Sequence, residues 1–241
     1  MRDDEPNTRG AGDVYDSIAG EFDRSRGTAP WKALVDFLSL MEIKNGTIFC
    51  PSTLSLDAGC GNGRNAPLLA GPTGAGRCIG FDISAGLLAR AREHFSRDPR
   101  LGWVQASILA IPFREKKFDL VGCIAAVHHL LGRKKILAAL SELARCLVPC
   151  NGRVLVSVWW KWQKRFRRRV LVNYLSFKRT PEFVPVPWNS RDGEAVEMRS
   201  YYLISRGELV RVMKRSFTVL STRMLGGPGG RDNVFVLGKA P

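Results

Sequence analysis

Residues 53–65 read TLSLDAGCGNGRN, and this stretch decides the fold. The apolar run from Thr53 to Leu56 reads as a buried strand. Asp57 to Gly63 then follows the pattern D-x-G-x-G-x-G, a glycine-rich turn leading into a helix expected near Arg64. Glycines at 59, 61 and 63 permit a tight turn and let backbone N–H groups approach a ligand closely. The start of the following helix favours a carboxylate. A dinucleotide fingerprint asks for a further glycine at 64, where Arg64 stands, and no lysine follows at phosphate-loop spacing.

Working outward, a second strand covers Arg77 to Phe81 and ends at Asp82, 19 residues beyond Gly63. At that position a carboxylate accepts hydrogen bonds from ribose hydroxyls. Ser84 caps a helix carrying Leu87, Leu88, Ala91 and Phe95 on one face. Further strands are expected at Gly102 to Ala106, Leu120 to Ala125 and Arg153 to Val158, with a helix from Lys134 to Leu147. Ser205 and Glu208 form a capping box for a helix through Lys214, and strands Thr218 to Thr222 and Asn233 to Gly238 close the chain as an antiparallel pair. Upstream, Tyr15 to Phe22 reads as a short helix, and Pro30 opens another bearing Leu34, Val35, Phe37, Leu38 and Met41. Residues 1–12, with Pro6, Gly10 and Gly12, read as a loose tail. The expectation is one α/β domain over 13–241 with a basic insertion around 160–200. Its fold is Rossmann-like and doubly wound: a mainly parallel seven-stranded sheet with an antiparallel C-terminal strand, binding ligands beyond the carboxyl ends of its strands.

The chain has 241 residues, 45% hydrophobic and 24% charged, enough for one sizeable core. Lysine and arginine number 37 against 22 acids, a net charge of +15 that favours an anionic partner such as RNA, although proteins that bind no nucleic acid can share it. The six cysteines, Cys50, Cys60, Cys78, Cys123, Cys146 and Cys150, lack C-x-x-C spacing. They read as reduced core thiols, and no metal is expected. The N-terminus has no apolar leader, and no run approaches the roughly 18 apolar residues of a membrane span. A cytoplasmic or nuclear protein with no membrane partner is expected. Between Lys161 and Arg169 runs KWQKRFRRR, following the fifth strand and so near the rim of the site. Lys161, Lys164, Arg165, Arg167, Arg168 and Arg169 are placed to clamp RNA phosphates, with Trp162 and Phe166 either stacking on bases or anchoring the segment. A solvated basic loop or a localisation signal is the plainer reading.

Several separated stretches resemble one family. They are Tyr15-Asp16-Ser17-Ile18-Ala19, Ser25-Arg26 with Pro30-Trp31, the loop LDAGCGNG, LAIPFREKKFD before IAAVHH, Val158-Trp159, VPVPW ending at Trp188, Tyr201-Tyr202 through Gly207-Glu208-Leu209, and Arg231-Asp232-Asn233. The chain thereby resembles class I S-adenosylmethionine-dependent methyltransferases, specifically those that complete carboxymethyl modification of the wobble uridine in tRNA. The resemblance implies methyl esterification of 5-carboxymethyluridine and S-adenosylmethionine as cofactor. It also implies the tRNA anticodon loop as partner, together with a small zinc-binding activator subunit that could cover the edge strand near Gly102 to Ala106. It makes Tyr15, Asp57, Gly59, Gly61, Gly63, Asp82, Ile83 and Ser107 cofactor residues, and Arg26, His128 and Trp159 substrate-side catalytic residues. The plainer alternatives are a surface Arg26, helix-flanking His128 and His129, and a core Trp159. Ser107 stands where that family usually has Asp, and Pro185, Leu203 and Val234-Phe235 depart from its pattern too.

A carboxylate acceptor is ionised at pH 7 and needs no general base. Alignment and exclusion of water therefore suffice, because opposite charges cancel as the anionic oxygen meets the sulfonium. A small-metabolite methyltransferase and a catalytically silent RNA-binding homologue are the competing readings. Cytosine methylation through Cys150 is disfavoured, since Pro149-Cys150 precedes the fifth strand at the wrong end of the sheet.

Overall fold

The computed structural model describes residues 10–45, 53–71, 76–175, 184–189 and 195–241. Among the described residues nine strands order as two sheets. The large one contains β1 (Leu54–Ala58), β2 (Arg77–Asp82), β3 (Leu101–Gln105), β4 (Leu120–Ile124), β5 (Arg153–Trp159), β8 (Thr218–Leu225) and β9 (Asn233–Lys239). Its order is β3-β2-β1-β4-β5-β9-β8, parallel through β5. β9 inserts antiparallel between β5 and β8. The expected doubly wound sheet is present, with its chain reversal beside β1, where such sheets bind ligands.

Both faces are covered, which is why β4 is buried at every position and reads as a continuous apolar run. On one face α6 (Arg133–Cys146) and α8 (Arg206–Met213) bury Leu140, Leu143, Leu209 and Met213 against β1, β4, β5 and β9. On the other, α3 (Lys32–Asn45) and α4 (Ala66–Leu69) bury Leu34, Phe37 and Leu69 with Leu155 and Phe235. α5 (Ala85–His94) starts as expected: the Ser84 hydroxyl accepts from the Leu87 N–H at 3.1 Å. The Ser205–Glu208 capping box is also formed.

Four expectations change. The helix expected over Tyr15 to Phe22 is two helices, α1 (Ala11–Ser17) and α2 (Ala19–Arg26), parted at buried Ile18. Order begins by Ala11, while residues 1–9 of the expected tail lie outside the described residues. The helix expected near Arg64 starts at Ala66 and is only four residues long, so a helix dipole contributes little there. The basic stretch is no loop. Most of it forms α7 (Lys164–Leu175), which buries Phe166 and Val170 in a small core with Val184, Val186 and Tyr201 of a hairpin, β6 (Val184–Asn189) and β7 (Ala195–Tyr201). Phe166 is thus an anchor rather than a base-stacking ring, and Trp162 packs on the same cluster.

Cys60, Cys78, Cys123 and Cys146 are buried free thiols, as expected; Cys50 lies outside the described residues. Cys150 departs, being exposed in a turn at a φ of 63° on the amino side of β5. Among the described residues no acid, cysteine or histidine cluster could hold a metal, and no helix is long and apolar enough to cross a membrane.

Candidate active site

At the carboxyl ends of β1, β2 and β4 opens a cavity of about 1020 Å³, roomy enough for a nucleoside cofactor together with part of an acceptor. Gly59 and Gly61 line it at φ values of 75° and 56°, in the left-handed region. A Cβ on Gly59 would stand 2.6 Å from the Ala126 Cβ, so only glycine lets this turn pass beneath the chain leaving β4. Gly63 does not line the cavity. Its own Cβ would collide with the Trp103 ring at 2.4 Å, which makes it a packing glycine.

Two acids sit beneath and beside the loop. Asp82 accepts from the Gly61 N–H at 2.8 Å and from the Ser84 N–H at 3.0 Å, and it lines the cavity, with lone pairs left for a ligand hydroxyl. Burial raises its pKa against those hydrogen bonds. Asp57 is buried just outside the cavity lining, and neither carboxylate oxygen has a protein partner. Its register partners on β2 and β4 are both glycine, Gly80 and Gly122. Burial first, and Asp82 second, push its carboxyl up to about 7. Tyr15, Ile83 and Ser107 also line the cavity; the Ser107 hydroxyl accepts from the Leu109 N–H at 3.2 Å, leaving its O–H to donate.

The other side of the cavity is aromatic and cationic. Ala125 follows β4 at a φ of 55°, its N–H donating to the Ser157 hydroxyl at 3.0 Å. This strained step turns the chain into the short helical turn Val127–His129 beside the cavity. His128 is buried, and its Nδ1 accepts from the Trp159 N–H at 3.1 Å, so the ring's proton is on Nε2. Burial, then His129, Arg165 and Arg199, hold His128 well below the ordinary histidine range. His129 is likewise held neutral, down to about 3, by burial and then by Arg199. The His129 Nε2 is hydrogen-bonded to the Tyr15 hydroxyl at 3.1 Å. The Tyr15 oxygen in turn lies 3.4 Å from that of Tyr201.

Trp159 stacks on Tyr201 at 4.2 Å between ring centres, and the Arg165 guanidinium lies 4.0 Å from the Trp159 ring centre. Arg26 reaches in from the end of α2, with Phe22 at 5.5 Å and Trp188 at 5.8 Å. Arg26, His128 and Trp159 therefore meet at one cavity. Of the basic run, Lys164 and Arg165 line it. Lys161 is partly exposed, and Arg167 and Arg168 are exposed on α7. The side chain of Arg169 lies outside the described residues.

Sequence reasoning assigned no role to Arg64, Arg199 or Tyr201, all of which line the cavity. For Tyr201 and Arg199 a signal existed: they alternate on one strand and so share a face.

The residues fit S-adenosylmethionine. A crowded glycine turn passes beside the cavity, an acid with spare lone pairs ends β2, and exposed Ile83 offers an apolar surface for a base. Residues 56–150 match the family described as a methyltransferase domain. The tRNA (carboxymethyluridine(34)-5-O)-methyltransferase alkbh8 of Xenopus tropicalis is 34% identical over 150 residues, covering 61% of this chain and 20% of that protein. The tRNA (carboxymethyluridine(34)-5-O)-methyltransferase of Arabidopsis thaliana is 34% identical over 148 residues, 61% of this chain and 31% of that protein. The match thus spans a fifth to a third of these relatives. A chain from the Haloferax volcanii complex of a methyltransferase with the Trm112 activator superposes with a TM-score of 0.65 at 16% identity, over 95% of this chain and 97% of that one. The glycine loop, the acid ending β2 and the matched domain agree: residues 56–150 carry a methyltransferase domain, and the chain resembles the class I S-adenosylmethionine-dependent methyltransferases and, among them, the tRNA carboxymethyluridine enzymes.

Proposed function

We propose that this protein transfers a methyl group from S-adenosylmethionine to the carboxylate of 5-carboxymethyluridine at the tRNA wobble position, giving a methyl ester. The observation that carries the reading is the pairing of a cofactor loop with an aromatic, cationic wall whose two histidines are held neutral. Neither histidine is poised to take up a proton at pH 7, and a carboxylate acceptor has no proton to remove. The cofactor supplies an electrophilic methyl carbon on a positively charged sulfur. When bound it would donate that methyl group to the carboxylate of the acceptor that Arg26, His128 and Trp159 would hold, and the transfer would release no proton.

The chain's own task is to align and to dry. Asp82 anchors the cofactor sugar, and Gly59 and Gly61 let the backbone approach its methionine end. Ser107 donates to the base, and Tyr15 and Ile83 flank it. Trp159 and His128 shape the acceptor pocket, and Arg26 orients the uridine or a neighbouring phosphate. Lys161, Lys164, Arg165, Arg167, Arg168 and Arg169 follow the RNA backbone. β3, at the exposed edge of the sheet, suits coverage by an activator subunit, a reading supported by the Haloferax volcanii complex.

The test is incubation with carboxymethyluridine-containing tRNA and methyl-labelled cofactor, with and without a Trm112-type activator. Alkali-labile label at the wobble base is expected. Alkali-resistant label would move the reaction to nitrogen or carbon, and label transferred only to small acids would favour a metabolite enzyme.

A further inference from the structure

Arg199 on β7 is 7% exposed and lines the cavity, yet among the described residues it forms no ion pair. Among the described residues its enclosed Nε has no hydrogen-bond partner, and its guanidinium makes a long hydrogen bond from Nη2 to the Pro187 carbonyl at 3.4 Å. The guanidinium carbon lies 4.7 Å from the Trp188 ring centre and 5.4 Å from that of Tyr201. Stacking of this kind orients a cation without cancelling its charge. Around it stand His128 and His129, both neutral, and Arg165, another cation. Among the described residues, Glu21 accepts from the Trp188 Nε1, Glu197 from the Ser17 hydroxyl, and Asp232, which also lines the cavity, from the Gly229 N–H. A buried guanidinium without a counter-charge is costly unless an anion completes it.

The geometry points to Arg199 as the residue that reads the carboxylate of the methyl acceptor, holding it by charge while Tyr201 and Trp188 fix the plane of the guanidinium. This rests on the function proposed above and deepens it. Three anions compete for the role. Backbone phosphates suit the exposed cations of α7 better than a side chain so deeply set between two rings. The cofactor's methionine carboxylate belongs with the glycine loop, where Arg64 also lines the cavity. The short acidic arm of a modified base is slim enough to enter the aromatic slot. Esterification removes the charge that Arg199 holds, so the product binds less tightly than the substrate.

The experiment measures binding and methylation of three anticodon stem-loops carrying carboxymethyluridine, its neutral isostere carbamoylmethyluridine, or uridine. Wild-type protein is expected to bind the carboxymethyl loop at least about tenfold more tightly than the carbamoylmethyl loop, because a site built for a charged group rejects the analogue lacking it. Arg199→Met should erase that preference and raise KM roughly 30-fold, the loss typical of truncating one partner of a buried charge pair, with a smaller change in kcat. S-adenosylhomocysteine affinity should not move. Should Arg199→Met fail to fold, Arg199→Lys carries the test: a point charge without the planar fork should raise KM several-fold, and an unchanged KM would overturn the assignment. A preference that survives in Arg199→Met overturns it as well. So does an equal loss for all three loops, which would make Arg199 a phosphate contact, or a matching loss of S-adenosylhomocysteine affinity, which would place it on the cofactor. If wild-type protein forms no alkali-labile ester on any loop, the proposed function fails first and takes this inference with it.

Discussion

The glycine loop of residues 57–63 and the hairpin of β6 and β7 border the same cavity but are made in different ways. The loop leads from β1 into α4 within a buried parallel sheet, its conformation set by glycines and by the Gly61 N–H on Asp82. The hairpin belongs to a separate two-stranded sheet, held over the cavity by ring stacking and by side-chain hydrogen bonds from α1 and α2. The loop side presents Asp82 together with Arg64, and the aromatic side presents Arg165 and Arg199. A negative acceptor is matched by the cations of the aromatic side, whereas the loop side offers an acceptor of hydrogen bonds in Asp82 and a cation in Arg64.

The contrast can be broken most severely at Gly59. Gly59→Val puts a branched side chain at a φ of 75° and against Ala126. Calorimetric titration should then detect no S-adenosylmethionine binding; affinity within about threefold of wild type would mean the loop is not the cofactor side. Next comes the proton on Asp57. Its carboxyl is lifted to about 7, whereas an unfolded aspartate titrates near 4. Between those values the folded chain keeps a proton that the unfolded chain has released. Stability of the cofactor-free protein attributable to this group therefore falls as pH rises through the window, by up to about 1.4 kcal/mol per pH unit. Urea unfolding from pH 4 to 7 should show Asp57→Asn flattening that slope, and parallel slopes for the two proteins would remove the buried acid from the account.

On the aromatic side, Trp159→Ala withdraws the ring that Tyr201, Arg165 and His128 all contact. Misplaced reactants should lower kcat/KM by about tenfold or more while cofactor affinity stays within about threefold; equal losses in both would mean the two sides are not separable. The smallest effect is expected on α7. Arg167→Gln with Arg168→Gln should weaken tRNA binding a few-fold and reduce the logarithmic salt slope by about 0.7 per charge removed. A slope that does not change would make this helix face merely solvated.

The sequence shows the polar side of the cavity well because strand, glycine turn, helix and second strand follow one another between Leu54 and Asp82, and because glycine at alternating positions has few other uses. Its limits were local: the turn runs on to Asn65, so the helix starts later and shorter than expected, and Gly63 serves packing against Trp103. The aromatic side was legible only as fragments. In α7 the charges hide the four-residue spacing of Phe166 and Val170 that buries its inner face. In β6, Pro185 and Pro187 argue against a strand, and they are tolerated because β6 pairs with β7 alone. Arg199 was passed over for a related reason: an arginine in a basic chain looks like surface until its neighbours are known to be rings and neutral histidines.

Tyr15, Ser17 and Glu21, all within α1 and α2, reach the far wall of the cavity through side chains alone, touching His129, Glu197 and Trp188. Among the described residues this seam is fastened by side chains, these polar contacts together with the Phe22 ring 5.7 Å from that of Trp188, and not by a shared strand. Parting these contacts would free two short helices from the hairpin while leaving the seven-stranded sheet paired, so the rim of the cavity can yield without the scaffold.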